Sequence, residues 1–174
     1  MIYDLPPLQA TIDQGDIVDN CPVSHIAGFQ LEPLLREDMT SLSIRSNVCR
    51  VIVLTQTCDL ANGKVTFATV ARLHEAVDVV QKGLLTRAEV RGSVRAGRVY
   101  GWYFLPAAGE FELPEVIADF RQLHTVRLDL LTALSRNGRR ICRLTTPYRE
   151  HMAQHFAHTY ARIGLPEPYE TAPE

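Results

Sequence analysis

No run in the chain approaches the ~18 consecutive apolar residues that a membrane-spanning helix needs. The opening stretch, MIYDLPPLQA, lacks the basic start and apolar core of a secretory signal, so a cytoplasmic location is expected. The four cysteines, Cys21, Cys49, Cys58 and Cys142, make no CxxC pair. Free thiols are therefore expected, rather than a disulfide framework or a zinc site built from local ligand pairs. Also missing are a Gly-rich phosphate loop, a GxSxG elbow, an HExxH helix and a paired-carboxylate signature. No internal repeat or low-complexity segment is present. The net charge of −2 is too small, and the 46% hydrophobic content too high, for a disordered chain. No cofactor and no resident metal are expected.

What is there fits one globular domain over residues 1–174. Gln14-Gly15-Asp16-Ile17-Val18 reads as a turn into a first strand that Cys21-Pro22-Val23 continues, with Pro22 at an edge or bulge. Residues 24–47 read as a long irregular loop. Arg50 to Thr57 (RVIVLTQT) is a strand whose continuous apolar run predicts burial on both faces. Asn62-Gly63 predicts a hairpin turn, with Lys64 to Ala71 returning. Residues 75–91 look partly helical. Strands follow at Arg98 to Leu105, at Val116 to Phe120 with Leu123 to Val126, and at Ile141 to Leu144; a short helix over Leu128 to Leu134 closes at Asn137-Gly138.

The C-terminal helix is the clearest element, at about 147–163. Thr146 can cap it, Pro147 suits its first position, and Gly164 with Pro166 ends it. Met152, Phe156, Tyr160 and Ile163 form its apolar stripe, flanked by His151, His155, His158 and Arg162. The expected fold is α+β: a small bent antiparallel sheet or SH3-like barrel, with a core over about 14–145 and the helix packed across it.

Charge is unevenly spread. Residues 1–40 hold Asp4, Asp13, Asp16, Asp19, Glu32, Glu37 and Asp38 against Arg36 alone. Two basic segments follow: Lys82, Arg87, Arg91, Arg95 and Arg98 with only Glu89, then Arg136, Arg139, Arg140, Arg143 and Arg149 with no acid. The tail adds Glu167, Glu170 and Glu174. The basic segments either line a site for phosphate or nucleic acid or pair with the acidic N-terminal region.

Thr55-Gln56-Thr57-Cys58-Asp59-Leu60 places polar side chains directly after a buried strand, where loops often present functional groups. Cys58 is a candidate nucleophile if Asp59 or a distant histidine serves as its partner; the alternative is a small half-buried cysteine beside a turn-capping Asp59. His151, His155 and His158 have i, i+4, i+7 spacing. The residues between the first two are Met152, Ala153 and Gln154, so a solvated or partner-facing flank is expected there rather than a metal site. Arg149 opposes the dipole at its helix start, which points it toward a carboxylate elsewhere or a bound anion.

QGDIVDNCPV (14–23), VIVLTQTCDLANGKV (51–65), PYREHMAQHFA (147–157) and RIGLP (162–166) together resemble an uncharacterised group of bacterial proteins. Its members share a Gly-Asp-Ile start, a strand ending in Thr/Ser-Gln-Thr/Ser-Cys-Asp-Leu and a terminal Pro-Tyr-Arg-Glu-His helix. The resemblance implies that Gln56, Cys58, Asp59, Tyr148, Arg149, Glu150, His151 and Gln154 are the positions to watch; His155, His158 and Thr159 depart from its helix pattern. It brings no activity with it. GDIV (15–18), RVIVLT (50–55) and KVTFATVA (64–71) are also similar in order to the MazF/PemK toxin barrels. That similarity implies an SH3-like barrel and not the ribonuclease chemistry. Here Arg50 is not followed by proline, Ala71 stands near the toxins' catalytic Ser/Thr, and the first loop is longer.

Three functional classes follow. The favoured one is a noncatalytic bacterial binding module for a protein or nucleic-acid partner, of regulatory, mobile-element or defence type, with Gln56, Arg149, Gln154 and Arg50 as binding residues. The second is a toxin-like endoribonuclease in which Arg50, Arg149 and a general base such as His151 converge. The third is a cysteine-dependent hydrolase with Cys58 as nucleophile and His151 or His74 as base.

Overall fold

The computed structural model describes residues 1–30, 32, 35, 36 and 42–161. Its frame is a seven-stranded antiparallel sheet in the order β1-β7-β2-β3-β4-β6-β5. The strands are β1 (Tyr3–Asp4), β2 (Asp16–Gly28), β3 (Ser43–Val53), β4 (Phe67–Glu75), β5 (Trp102–Leu105), β6 (Val116–Arg127) and β7 (Arg140–Leu144). The helices named with them among the described residues are α1 (Thr57–Ala61), α2 (Ala76–Gln81), α3 (Arg87–Glu89, widening into a looser turn over Val90–Val94), α4 (Leu128–Leu134) and α5 (Tyr148–Tyr160). The α+β expectation holds, and of its two forms the bent sheet is the one present. β1 and β5 end the strand order and do not pair. Register shifts between Val18 and Cys21 in β2, and between Ala71 and Arg72 where β4 meets β6, each insert unpaired residues that bend the strands.

The bend brings the sheet's two ends close without joining them. Tyr3 of β1 is buried, and its hydroxyl donates to the carbonyl of Pro106, just past β5, at 2.8 Å. Tyr3, Tyr103, Leu105 and Leu144 share one core cluster with Phe120 and Met152. A second cluster on Val18, Val51, Val53, Val70 and Leu131 fills the opposite side under α1 and α4. A third joins Val79, Leu85, Val90 and Val94 of the α2–α3 segment to Trp102 and Ile117.

The Val51-Ile52-Val53 run is fully buried between β2 and β4, as its lack of alternation predicts. Pro22 does lie just beyond a bulge, where β7 has stopped pairing with β2, so its missing N–H costs no ladder bond. Asn20 accommodates that bulge with φ of 53°. Gly15 (φ 85°) is required by close approach: a Cβ there would stand 3.0 Å from the Leu144 Cβ.

Several expectations are corrected. Residues 24–28 and 43–47 are strand, not loop: β2 and β3 run on as a paired arm, with His25 opposite Arg45 and Ile26 opposite Ile44. Nearly all of that extension is exposed, so backbone pairing holds it and no buried stripe advertises it. The strand at Arg50 stops at Val53 because Thr57–Ala61 turns into a helix. Asn62-Gly63 ends that helix rather than forming a two-residue hairpin, and the return strand starts at Phe67, not Lys64. β5 begins at Trp102, after Gly101 turns the chain at φ 79°. Val116 to Phe120 and Leu123 to Val126 run together as the one strand β6, as the expectation allowed. β1 extends the sheet ahead of residue 14 by pairing with β7.

The α5 expectation holds over its described part. Met152 is fully buried and Phe156 packs edge-on against Phe120 at 5.4 Å between centroids. Pro147 is the capping residue itself, and Thr146 gives its hydroxyl to Glu150 Oε1 (3.0 Å) instead of capping the helix. Arg162, Ile163, Gly164, Pro166, the RIGLP block and the acids Glu37, Asp38, Glu167, Glu170 and Glu174 lie outside the described residues.

Candidate functional site

The two basic segments are used differently, although Arg136 and Arg139 of the second stay exposed and make no hydrogen bond or ion pair among the described residues. In the second, the arginines of β7 and α5 turn inward onto the N-terminal acids. Arg140 Nη1 reaches Asp16 Oδ2 at 3.1 Å, Arg143 Nε reaches Asp16 Oδ1 at 2.6 Å, and Arg149 Nη1 reaches Asp13 Oδ2 at 3.3 Å. Arg149 also binds Glu150 at 2.9 Å, which explains an arginine at a helix start. Arg50 is held by Asp19 at 3.2 Å. These charges are spent on the fold.

In the first segment they are not. Thr86 and Glu89 form a reciprocal capping box that starts α3, and those hydrogen bonds push the Glu89 carboxyl below its ordinary pKa. Val90 and Val94 point inward to Trp102 and Ile117. The helical spacing then turns Arg87, Arg91 and Arg95 outward, with Arg98 following. All four are exposed, and among the described residues their side chains make no hydrogen bond, ion pair or ring contact.

Three concavities lie along this row. The first, of about 280 Å³, has Arg87 and Arg91 on its wall with Val77, Val80 and Glu115. The second, about 310 Å³, shares Arg91 and Glu115 with the first and adds Arg95, Phe104 and Pro106. The third, about 410 Å³, shares Arg95, Phe104 and Pro106 with the second and is completed by Ile2, Leu144, Tyr103, Tyr148 and His151. Shared lining residues place the three side by side along the row. The single acid lining this groove is Glu115, so the local charge is positive although the chain's is negative.

The third concavity occupies the seam where the sheet fails to close. Ile2 and Leu144 face it from the β1–β7 end, Tyr103, Phe104 and Leu105 from β5, and the first turns of α5 roof it. His151 Nδ1 and the Tyr103 hydroxyl are 3.0 Å apart. Burial pushes the Tyr103 pKa up to about 12, so that hydroxyl keeps its proton near neutral pH.

His155 packs its ring between Tyr103 and Phe120, with centroids at 5.5 and 6.0 Å. Burial is the main force lowering its pKa, helped by the neighbouring His151 and opposed by the carbonyls of Trp102 and Val99. His74 and His124 are also lowered, mainly by burial. An unfolded histidine binds its proton near pH 6.5. Below that, the unfolded chain holds more protons than the folded one, so stability is present at higher pH and lost as pH falls toward the folded values. The urea midpoint is expected to drop between pH 7.5 and 5.5, and less steeply in His155→Phe, which keeps the ring contacts without the titration. An equal drop in the variant would remove His155 from the account.

Cys58 lies exposed on α1. Its thiol faces only Gln56 Oε1 at 3.7 Å and Asp59 Oδ1 at 3.8 Å, and Asp59 is paired with Lys64 at 3.8 Å. No histidine hydrogen-bonds to it. No hydrogen bond or ion pair joins Gln56, Cys58 or Asp59 to Arg149 or His151 among the described residues, and the concavity that His151 lines contains none of them. Gln154 is exposed on α5. Of the expected residues, only His151, with Tyr148, borders the groove. Cys21 and Cys142 are buried and Cys49 half-buried, with burial raising all three thiols. Among the described residues no group of three or more His, Cys, Asp and Glu side chains is placed to hold a metal ion, and no helix is long and apolar enough to cross a membrane.

The groove residues missing from the expected set, Arg87, Arg91 and Arg95, did leave a sequence signal: their i, i+4, i+8 spacing beside inward Val90 and Val94. No family model and no curated protein matches this chain.

Proposed function

We propose that this chain is a noncatalytic binding module for nucleic acid, with the arginine row Arg87, Arg91, Arg95 and Arg98 and the groove beside its first three members as its binding surface. The observation that carries the reading is the contrast between this row and the arginines that the N-terminal acids neutralise. Arg140, Arg143 and Arg149 are consumed by Asp13, Asp16 and Glu150, whereas the α3 row stands unpaired, with adjoining concavities beside Arg87, Arg91 and Arg95. Guanidinium groups left free in a row suit phosphate oxygens, which accept their paired N–H donors.

Binding is tested by titrating labelled RNA and DNA against salt. With all four arginines engaged, log K against log[salt] is expected to fall with a slope of roughly −3 for single strands. Arg91→Ala with Arg95→Ala is expected to flatten that slope by about 1.4. Binding that does not change with salt, or no binding at low salt, sinks the reading.

The cysteine-hydrolase alternative needs a base or cation at Cys58, and the sulfur's neighbours are an amide oxygen and an already paired carboxylate. The endoribonuclease alternative needs Arg50, Arg149 and His151 to converge. Two of those are tied to Asp19 and Asp13, and the third to Tyr103.

A further inference from the structure

We propose that the concavity between β5 and the start of α5 receives one unstacked base of a single strand whose phosphates follow the arginine row. This rests on the nucleic-acid reading above and adds what that reading leaves open: the form of the strand and the place where a base is held.

The argument begins with why the concavity exists. A closed barrel would fill the space between β1 and β5 with backbone pairing, but here β1 has only two residues and pairs with β7 alone. The open seam is walled by Ile2, Val94, Leu105, Pro106 and Leu144, which are apolar. At about 410 Å³ it falls within the range of about 300–1,000 Å³ usual for small-ligand sites. Those walls suit the faces of a base, not the phosphates.

Its polar lining groups are Arg95, Tyr103, Tyr148 and His151. Tyr148, the first residue of α5, is 40% exposed and offers its ring for stacking. His151 has Nδ1 engaged by Tyr103. With the Tyr103 hydroxyl donating, His151 presents Nε2–H as a donor to a base edge. Arg95 borders both this concavity and the next, so one guanidinium marks the step at which a strand's base leaves the phosphate path. This is the arrangement by which single strands are held: a charged track for the backbone and an aromatic platform for bases. A duplex has to unpair and unstack a base, which costs free energy, before it can place one in a seam.

The test uses the full chain and fluorescence anisotropy at low salt. Its probes are a labelled strand of about 12 nucleotides, an abasic strand of equal length, a duplex of the same sequence, and heparin. The base-bearing strand is expected to bind about 5- to 100-fold more tightly than the abasic one. Tyr148→Ala is expected to abolish that difference while leaving abasic-strand and heparin affinity unchanged, and Tyr148→Phe, which keeps the ring, to restore it. Equal affinity for base-bearing and abasic strands overturns the base site, as does preference for the duplex, and either leaves the arginine row standing. No salt-dependent binding of any of the four probes overturns both. A sedimenting dimer that shields Tyr148 while no strand binds assigns the seam to a second copy of the chain and likewise overturns the proposal.

Discussion

Replacing Asp16 by asparagine is expected to cost the fold about 3–5 kcal/mol, the scale of breaking a buried ion pair from one side. Asp16 is 0% exposed, and the side chain of its partner Arg140 is 1% exposed. Its Oδ2 accepts from Arg140 Nη1 at 3.1 Å, Arg143 Nη2 at 2.9 Å and the Asp13 amide at 2.9 Å, while Oδ1 accepts from Arg143 Nε at 2.6 Å. Asparagine preserves the shape but removes the charge, leaving the Arg140 guanidinium buried without its counter-ion. It also turns an amide N–H₂ toward a guanidinium that has only donors to offer.

The effect spreads beyond one pair. Arg140 donates to the carbonyls of Pro7, Ala10 and Thr11 at 2.9, 3.0 and 3.1 Å. The N-terminal segment is therefore wound around this cation, with Arg143 also donating to the Thr11 carbonyl at 2.7 Å, and loosening the pair releases the chain that feeds β2. Against a typical total stability of about 5–15 kcal/mol, such a loss is a large share. Urea unfolding measures it, with Asp129→Asn as the control. That carboxylate pairs with Arg127 at 2.6 Å in open solvent, and its loss is expected to leave the midpoint where it is. A loss under about 1 kcal/mol for Asp16→Asn, the scale of a surface pair, would show that the buried network is not what holds the N-terminal segment.

Phe120→Ala is expected to cost a comparable amount, about 3–5 kcal/mol. Phe120 is fully buried on β6 and joins the sheet to α5. Its ring stacks on Tyr103 at 6.0 Å, takes Phe156 edge-on at 5.4 Å and meets His155 at 6.0 Å, while its carbonyl accepts the Tyr160 hydroxyl. Truncation leaves a cavity among three rings of which two belong to the helix. Phe120→Leu keeps most of the apolar volume and is expected to lose less, chiefly the roughly 0.5–1.5 kcal/mol that each aromatic contact adds beyond burial. The same substitution loosens the footing of Tyr148 and His151, so weaker binding of base-bearing strands should accompany the lost stability. A Phe120→Ala variant that unfolds at the parent's urea concentration would mean that α5 is anchored elsewhere.

The parts of this fold that show in the residue order are those that bury a pattern. Val51-Ile52-Val53 is apolar without a break because neighbours cover it on both faces, and Met152 and Phe156 recur at helical spacing because one face of α5 meets the sheet. The β2–β3 arm left no such trace. Ile26, Ile44 and Val48 point to solvent among polar neighbours, and main-chain pairing is indifferent to side-chain pattern. α1 was hidden for another reason: five residues are too few to display a helical period.

For the candidate site the division is sharper. The residue order alone determined that arginines cluster in two segments, that those at 87, 91 and 95 share a helical face, and that acids crowd the first forty residues. It could not distinguish the two clusters. Asp16 and Arg140 are 124 positions apart in the chain, and an ion pair depends on distance in space, not along the sequence. Only the bent sheet decided that β7 runs beside β2, bringing Arg140 and Arg143 onto Asp16 and neutralising them. Only the two-residue β1 left a seam opposite β5, and only the docking of Val90 and Val94 turned the other arginines outward along it. Charge was written in the sequence; which charge stays free was settled by what folds against it.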